Sequence, residues 1–108
     1  MESLAALAEP TRRRIVELLA ERELSAGEIA AYFAVSAPAI SQHLRVLRAA
    51  ALVRVRAVAQ RRIYELDPDG LAALDHWLAH IRQAWRARLT ASERRLIKRA
   101  RESEAPKA

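Results

Sequence analysis

Residues 36–53 read SAPAISQHLRVLRAAALV, and this stretch predicts one helix with an apolar and a polar face. Ser36 is a good N-cap, because its hydroxyl accepts hydrogen bonds from the free amides of the first turn. Pro38 is tolerated in that turn, where its missing N–H costs little. Apolar residues then recur at i, i+4 and i+7 and predict a buried stripe made of Ile40, Leu44 and Leu47.

The outward face of this helix is small and polar. Gln42 and Arg45 lie one turn apart, and the N-terminal half of the helix around them is uncrowded. Such a helix can enter the major groove of DNA, where glutamine pairs well with adenine and arginine with guanine. An ordinary amphipathic surface helix carries the same residue types, so the flanking segments have to separate the two interpretations.

A second, shorter helix is predicted directly before it. Ser25 and Glu28 form a Ser-x-x-Glu capping box, so a helix is expected over residues 26–33, with an inward side formed by Ile29 and Phe33. Residues 34–35 are then the connector between the two helices. This order and length are typical of a helix-turn-helix whose second helix reads DNA.

A β-hairpin is predicted after the reading helix, over residues 52–66. Apolar and charged residues alternate in its first half, and β-forming residues return in its second half. Its tip lies at residues 58–60 and is flanked by four arginines, Arg54, Arg56, Arg61 and Arg62. Cations at this place suit DNA phosphates beside the reading helix. The alternative is a solvated sheet edge whose arginines prevent pairing with another sheet.

Residues 4–85 resemble the ArsR-type winged helix-turn-helix repressors. The resemblance rests on LAEPTRRRIVELL at residues 7–19, AISQHLRVLRAAALV at residues 39–53 and RRIYELD at residues 61–67. It implies a mainly α fold with a small β-hairpin, a winged helix-turn-helix that dimerises through its first and last helices. It also implies a homodimeric repressor on a partly palindromic, double-stranded DNA operator near its own promoter.

The same resemblance assigns residues to the DNA contact. Those on the reading helix are Ser36, Pro38, Ser41, Gln42, His43 and Arg45. Those on the wing are Arg54, Arg56, Gln60, Arg61 and Arg62. The family usually has glycine at two places where this chain has Ala51 and Ala59. A non-glycine residue in a left-handed conformation costs about 1 kcal/mol, so either those turns differ here or stability is lost.

The N-terminal segment is interpreted as a scaffold. Ser3 is expected to cap a short helix over residues 4–8, and Pro10 to start a second helix that ends at residues 21–23. The buried side of the second helix is predicted to consist of Ile15, Leu18 and Leu19. Residues 12–14 are all arginine and are interpreted as a solvated face, with phosphate contact as the alternative.

A long apolar seam follows the hairpin. Asp67 and Pro68 open a helix in which apolar residues recur at spacings of 3, 4, 3, 4 and 4, namely Leu71, Leu74, Leu78, Ile81, Trp85 and Leu89. This is more apolar surface than one small domain covers, so it predicts a two-fold dimer; the alternative is that the seam only covers its own core. The expected interface comprises Leu4, Leu7, Leu71, Leu74, Trp77, Leu78, Ile81 and Trp85.

The winged-helix and dimerisation domain is expected to span residues 1–89, followed at 90–108 by a basic helical extension and a frayed tail. The extension continues the same helix or restarts it at a Thr90/Glu93 capping box.

The formal net charge of +6 suits a polyanionic partner, and the lack of cysteine excludes disulfides and thiolate sites. Neither a signal peptide nor a membrane span is recognisable, so a cytoplasmic location is expected.

Metal binding and catalysis are both weakly supported. His76 and His80 stand at i, i+4 beside Asp75, but two imidazoles do not complete a site, and the metal-ligand motifs of the family's metal sensors are missing. Neither a cofactor nor a metal is therefore expected, and the effector is unknown.

The chain also has neither a glycine-rich phosphate loop nor a nucleophile with a base, so an enzyme is not expected. The remaining alternative is a winged-helix interaction or dimerisation module without sequence-specific DNA readout.

Overall fold

The computed structural model describes residues 2–104, which form five helices and three strands. In chain order these are α1 (Glu2–Leu7), α2 (Pro10–Glu21), β1 (Leu24–Ser25), α3 (Ala26–Ala30), α4 (Ala37–Ala49), β2 (Val53–Val58), β3 (Arg61–Leu66) and α5 (Pro68–Glu104). The chain divides into two compact units, one ending at Leu74 and the other beginning at Asp75. The first unit contains the helix-turn-helix and the sheet.

The core of the first unit takes side chains from α1 to α4 and from all three strands. The predicted stripe of α4 is confirmed, because no member of it is more than 1% exposed: Ile40, Leu44 and Leu47. The predicted buried side of α2 is confirmed as well, with Ile15, Leu18 and Leu19. Burial of one such side chain stabilises a fold by about 1.5–3 kcal/mol. The core therefore holds α4 in one orientation, with its polar face outward.

The strands form one antiparallel sheet in the order β1-β3-β2. The predicted hairpin pairs Val53 with Leu66 at its base and Val58 with Arg61 at its end, which leaves a two-residue loop. The prediction missed β1, whose Leu24 pairs with Tyr64 on the far side of β3. A strand of two residues is too short to show an alternating pattern in the sequence.

Two predicted helix boundaries were wrong. The helix expected over 26–33 ends at Ala30, because the amides of Tyr32 and Phe33 bond to carbonyls three residues back and close tight turns instead. The connector to α4 is correspondingly longer than two residues. Ser3 is not a cap: it is buried inside α1, which already includes Glu2. The capping box of α3 is confirmed, with the Ser25 hydroxyl and the Glu28 carboxylate each bonding the other's backbone amide.

Both alanines that replace the family's glycines adopt left-handed conformations. Ala51 has φ 59° and Ala59 has φ 57°. Ala51 follows α4 in a Schellman motif, in which its amide donates to the carbonyl of Arg48 and the amide of Leu52 donates to that of Leu47. Ala59 is the first residue of the hairpin loop. Both turns thus have the left-handed conformation that glycine favours, and each alanine is strained in it.

Helix α5 begins at Pro68 and continues without a break to Glu104. The carboxylate of Asp67 caps it by accepting from the amide of Asp69 at 3.0 Å. Of the two alternatives for the extension, the structure has the continuous helix, not a restart at Thr90. The predicted frayed tail lies largely outside the described residues. Within residues 2–104, no helix has the length and apolarity needed to cross a membrane.

Candidate nucleic-acid interface

The polar face of α4 is presented as the sequence predicts. The Ser36 hydroxyl accepts from the amide of Ala39 at 3.3 Å and closes the first turn, and Pro38 lies within that turn. The side chains directed away from the core are exposed: Pro38, Ser41, Gln42, Arg45 and Ala49. The N-terminal half of the exposed face carries only small or flexible side chains, so a flat or grooved partner can approach it closely.

Gln42 and Arg45 are joined to each other on that face. The Arg45 guanidinium donates to the Gln42 Oε1 at 2.8 Å. Because arginine only donates, the amide oxygen must face it, and the amide NH₂ is directed elsewhere. The pair therefore presents mainly donors, which match the N7 and O6 acceptors of guanine. Bidentate pairing of Gln42 with adenine needs the amide oxygen to turn away from Arg45.

His43 occupies a different position from its neighbours on α4. It is half-buried, with its Nδ1 3.4 Å from the Arg12 guanidinium and 3.8 Å from the Glu9 carboxylate. Glu9 caps α2 by accepting from the amide of Arg12 at 2.9 Å, and this hydrogen bond is the main cause of its lowered pKa. Arg12 also donates to the carbonyl of Ala6 at 2.7 Å. His43 thus connects the reading helix to the start of α2, and its contact with DNA stays a prediction.

The hairpin distributes its arginines over both faces of the sheet. Alternation in the register places Arg54, Arg56 and Arg61 on the face opposite the core, together with Glu65. Arg62, which pairs with Ala57, belongs to the other face near the tip. Gln60 is exposed in the loop itself. The four arginines that the sequence suggests as one cluster are therefore divided three to one.

The three arginines on the outer face are all paired with glutamates. Arg54 lies 3.0 Å from Glu65, and Arg61 lies 2.9 Å from Glu28. Arg56 bonds to Glu23 and lies 3.6 Å from Glu65. In this part of the wing, positive and negative charges balance.

The ion pairs affect the titration of their members. The hydrogen bond from Arg56 lowers the pKa of Glu23, and Glu23 in turn raises the pKa of Arg56. The pKa of Glu28 is lowered mainly by the hydrogen bond from the backbone of Ser25, with a further contribution from Arg61. All these groups are solvent-exposed, so the pairs are weak and their arginines can change partner.

Sequence reasoning did not identify the acidic partners of the wing. Glu28 was assigned only to the capping box, although one of its oxygens serves both Ser25 and Arg61. Glu65 could have been found, because a hairpin closed by a two-residue loop at residues 59–60 sets it across from Arg54. Among residues 2–104, Arg62 forms no salt bridge.

The residues predicted for the dimer interface fall into two groups. Partly buried ones pack against the core of the first unit, namely Leu7, Leu71 and Leu74. Exposed ones are Leu4, Trp77, Leu78, Ile81 and Trp85, and Trp85 has 54% of its surface accessible. An exposed row of large apolar side chains on one helix indicates a surface that another protein covers.

The structure brings His76 and His80 to exposed positions on α5. In the part of the chain that the structure describes, no three histidine, cysteine or acidic side chains converge as a metal site would require. Within residues 2–104, no group of three such side chains that includes His76 and His80 could hold a metal ion.

The helix-turn-helix, its capped reading helix and the adjoining three-stranded sheet define a winged-helix protein. A model of the "Bacterial regulatory protein, arsR family" matches residues 9–55. The chain is 36% identical to the transcriptional repressor SdpR of Bacillus subtilis over 73 residues, 68% of this chain and 81% of that protein. It belongs to the ArsR family of transcriptional regulators.

Other relatives agree with this assignment. The transcriptional regulator Rv2034 of Mycobacterium tuberculosis is 58% identical over 69 residues, a match that spans 64% of this chain and 64% of that protein. A crystal structure of a possible transcriptional regulator for arsenical resistance shares 44% identity, with a TM-score of 0.69, over 85% of this chain and 96% of that one. An ArsR-like regulator from Rhodococcus sp. RHA1 superimposes with a TM-score of 0.75 at 31% identity, covering 86% and 88% of the two chains.

Proposed function

We propose that this protein is a sequence-specific, double-stranded DNA-binding transcriptional repressor that acts as a homodimer. The observation that carries the proposal is the exposed polar face of α4, with Gln42 and Arg45 joined to each other and held outward by a fully buried opposite stripe. A rigid helix with this surface has the shape and the donors needed to read base edges in a major groove.

In the proposed complex, the contacts divide into two kinds. Gln42 and Arg45 read bases, whereas the other contacts position the protein on the backbone and involve Ser36, Pro38, Ser41, His43, Arg54, Arg56, Gln60, Arg61 and Arg62. The outer wing arginines first have to leave their glutamates. That exchange is feasible because each pair is exposed and a phosphate offers a stronger charge-assisted hydrogen bond.

Dimerisation supplies the second reading helix. Two copies joined through α1 and α5 would bind two half-sites in successive major grooves, about 34 Å apart. The exposed apolar row of α5 supports this arrangement, together with Leu4 of α1. A bound dimer would block a promoter by occupying it, in agreement with the description of the relative SdpR as a repressor. We infer that the protein acts in the cytoplasm, without catalysis and without a metal.

The experiment that tests the function is selection of bound duplexes from a random pool at near-physiological salt. We expect a partly palindromic site with half-sites about one helical turn apart, bound about 10³-fold or more tightly than random duplex. Transcription from a promoter that carries the selected site should then fall as the protein is added. Failure to enrich any sequence would instead favour an interaction module, and a rise in transcription would indicate an activator.

A further inference from the structure

The net positive charge of this chain comes from its C-terminal quarter. Residues 1–81 contain ten lysines and arginines and ten aspartates and glutamates, so they are formally neutral. Residues 82–108 contain nine basic and three acidic residues and supply the whole net charge of +6. Residues 1–81 thus have no net charge as a whole, although residues 36–62 within them hold six arginines and no acid.

The basic residues in the second half of α5 differ from those of the wing. There are eight cations between residues 82 and 101, against one acid, Glu93: Arg82, Arg86, Arg88, Arg94, Arg95, Lys98, Arg99 and Arg101. All eight are exposed, and within residues 2–104 none of them forms a salt bridge. Each outer arginine of the wing, in contrast, forms a salt bridge with a glutamate: Arg54 with Glu65, Arg56 with Glu23 and Arg61 with Glu28.

The cations also leave the apolar seam of α5 free. Positions 85, 89, 92 and 96 follow one another at spacings of 4, 3 and 4 and are occupied by Trp85, Leu89, Ser92 and Leu96. Arg94, Lys98 and Arg101 take the opposite side of the helix, whereas the other basic residues flank the seam, and Arg88 covers the ring of Trp85 at 5.7 Å. The same helix can therefore pack along its seam and still expose its positive charge.

We propose that residues 82–101 of α5 form a second DNA-binding surface, one that contacts the phosphate backbone without regard to base sequence. This inference rests on the proposed function, because it assumes that double-stranded DNA is the partner. Seven of the eight cations are arginines, and one planar guanidinium group can donate two parallel hydrogen bonds to a phosphate. They require no exchange of an existing ion pair before they bind.

The neutrality of residues 1–81 favours DNA as the occupant over other anionic surfaces. Long-range attraction to DNA depends on net positive charge, and a reading domain without net charge supplies little of it. Cations on the second half of α5 would add phosphate contacts to those proposed for the wing, whose outer arginines are paired with glutamates. Within residues 2–104, the second half of α5 carries the largest group of cations without a salt bridge, eight against the three of α4 and the wing, Arg45, Arg48 and Arg62.

The test compares two double substitutions in the full-length protein that remove the same charge. Arg94→Gln with Lys98→Gln removes two charges from one side of α5 and keeps good helix formers, whereas Arg14→Gln with Arg22→Gln removes one exposed charge from α2 and one from its C-cap residue. Affinities for the selected operator and for random duplex are measured by fluorescence anisotropy between 0.05 and 0.5 M salt (roughly the range in which counterion release is resolved). Circular dichroism and sedimentation confirm that both variants fold and assemble as the parent does.

For the α5 variant we expect the slope of log affinity against log salt to become shallower by about 2, since each phosphate contact contributes about 0.9. Operator and random duplex should weaken together, by up to about 60-fold at 0.1 M salt, with their ratio unchanged. The α2 variant should change the slope by less than half as much.

Equal slopes for the α5 variant and the parent protein overturn the inference, and so does a loss confined to the operator. Binding to vesicles of phosphatidylserine and phosphatidylcholine is measured in parallel. If the α5 variant loses vesicle binding while its DNA slope is unchanged, the surface binds lipid headgroups instead. If the parent protein does not distinguish operator from random duplex, the proposed function itself fails, which is a separate result.

Discussion

Gly70, in the first turn of α5, lies directly against the carbonyl oxygen of Ala51, in the turn that ends α4. A Cβ atom at Gly70 would lie 1.6 Å from that oxygen and 2.6 Å from its carbon. Asp67, the residue before α5, is also bonded to this turn, because its amide donates to the carbonyl of Leu52 at 2.9 Å. The end of the reading helix and the start of α5 thus meet backbone to backbone.

Replacement of Gly70 by alanine is expected to destabilise the protein. Alanine is normally better than glycine in a helix by about 1 kcal/mol, but here the backbone has to move to admit a methyl group, at a cost of about 3 kcal/mol. The matched control is Gly27→Ala, because a Cβ there has only the Ser25 Oγ nearby, at 4.0 Å. Thermal unfolding at fixed protein concentration should show opposite shifts, and two stabilising substitutions would contradict the contact.

Replacement of Ala51 by glycine is expected to stabilise the protein. Ala51 has φ 59°, a conformation in which an L-residue with a Cβ is strained, and relief of the strain is worth about 1 kcal/mol. Ala72→Gly, at an exposed position inside α5, is the control and should lose about 1 kcal/mol. Chemical denaturation measures both differences. Similar losses for both variants would mean that Ala51 is unstrained.

Replacement of Gln42 or Arg45 by alanine is expected to cost about 1–3 kcal/mol on the selected operator and little on random duplex. Because the two side chains bond to each other, the double variant should lose less than the sum of the single losses. Arg61→Ala should instead weaken both duplexes and reduce the salt slope. A Gln42→Ala variant that weakened every sequence equally would disprove base readout by that side chain.

The capping glutamate of α3 is expected to make stability depend on pH. Hydrogen bonding lowers the pKa of Glu28 below its ordinary value of 4.5, so the unfolded chain takes up this proton first as the pH falls. Its contribution is therefore complete above about pH 4.5 and is lost as the pH falls through the pKa of the folded protein. Glu28→Gln keeps an oxygen for the capping box but loses the charge.

The melting temperature of Glu28→Gln should accordingly lie below that of the parent at pH 7 and approach it as the pH falls below the ordinary pKa of a glutamate carboxyl. Glu21→Gln removes an exposed carboxylate that forms no ion pair within residues 2–104, and serves as the control. A difference between parent and Glu28→Gln that stayed constant over this range would exclude the linkage.

Replacement of Ile81 and Trp85 by alanine is expected to weaken the proposed dimer. Both side chains are exposed in the single chain and lie on the apolar seam of α5. Sedimentation velocity over a range of concentrations should show a dissociation constant raised by 100-fold or more, from the roughly 3 kcal/mol that two large apolar anchors contribute. Gln83→Ala, on another side of the helix, should leave assembly unchanged. Monomeric parent protein would refute the dimer.

Much of the first unit could be predicted because its signals are local. Ser36, the Ser25–Glu28 capping box and the Ile40 stripe are each read within one or two turns of helix, where spacing alone decides which groups meet. The charges of the wing could not be assigned in this way. Arg56 and Arg61 each find a glutamate 33 residues earlier in the chain, and only the pairing of β1 with β3 brings them together.

The sequence by itself determined the order of the helices and the hairpin, the caps of α3 and α4, the buried stripe of α4 and the family to which the chain belongs. These properties depend on neighbours within about four residues, or on motifs that can be read directly. The tertiary structure decided which arginines of the wing are paired with glutamates. It also decided that Gly70 must be glycine. Both depend on atoms that approach each other only after distant segments have packed, so no local pattern records them.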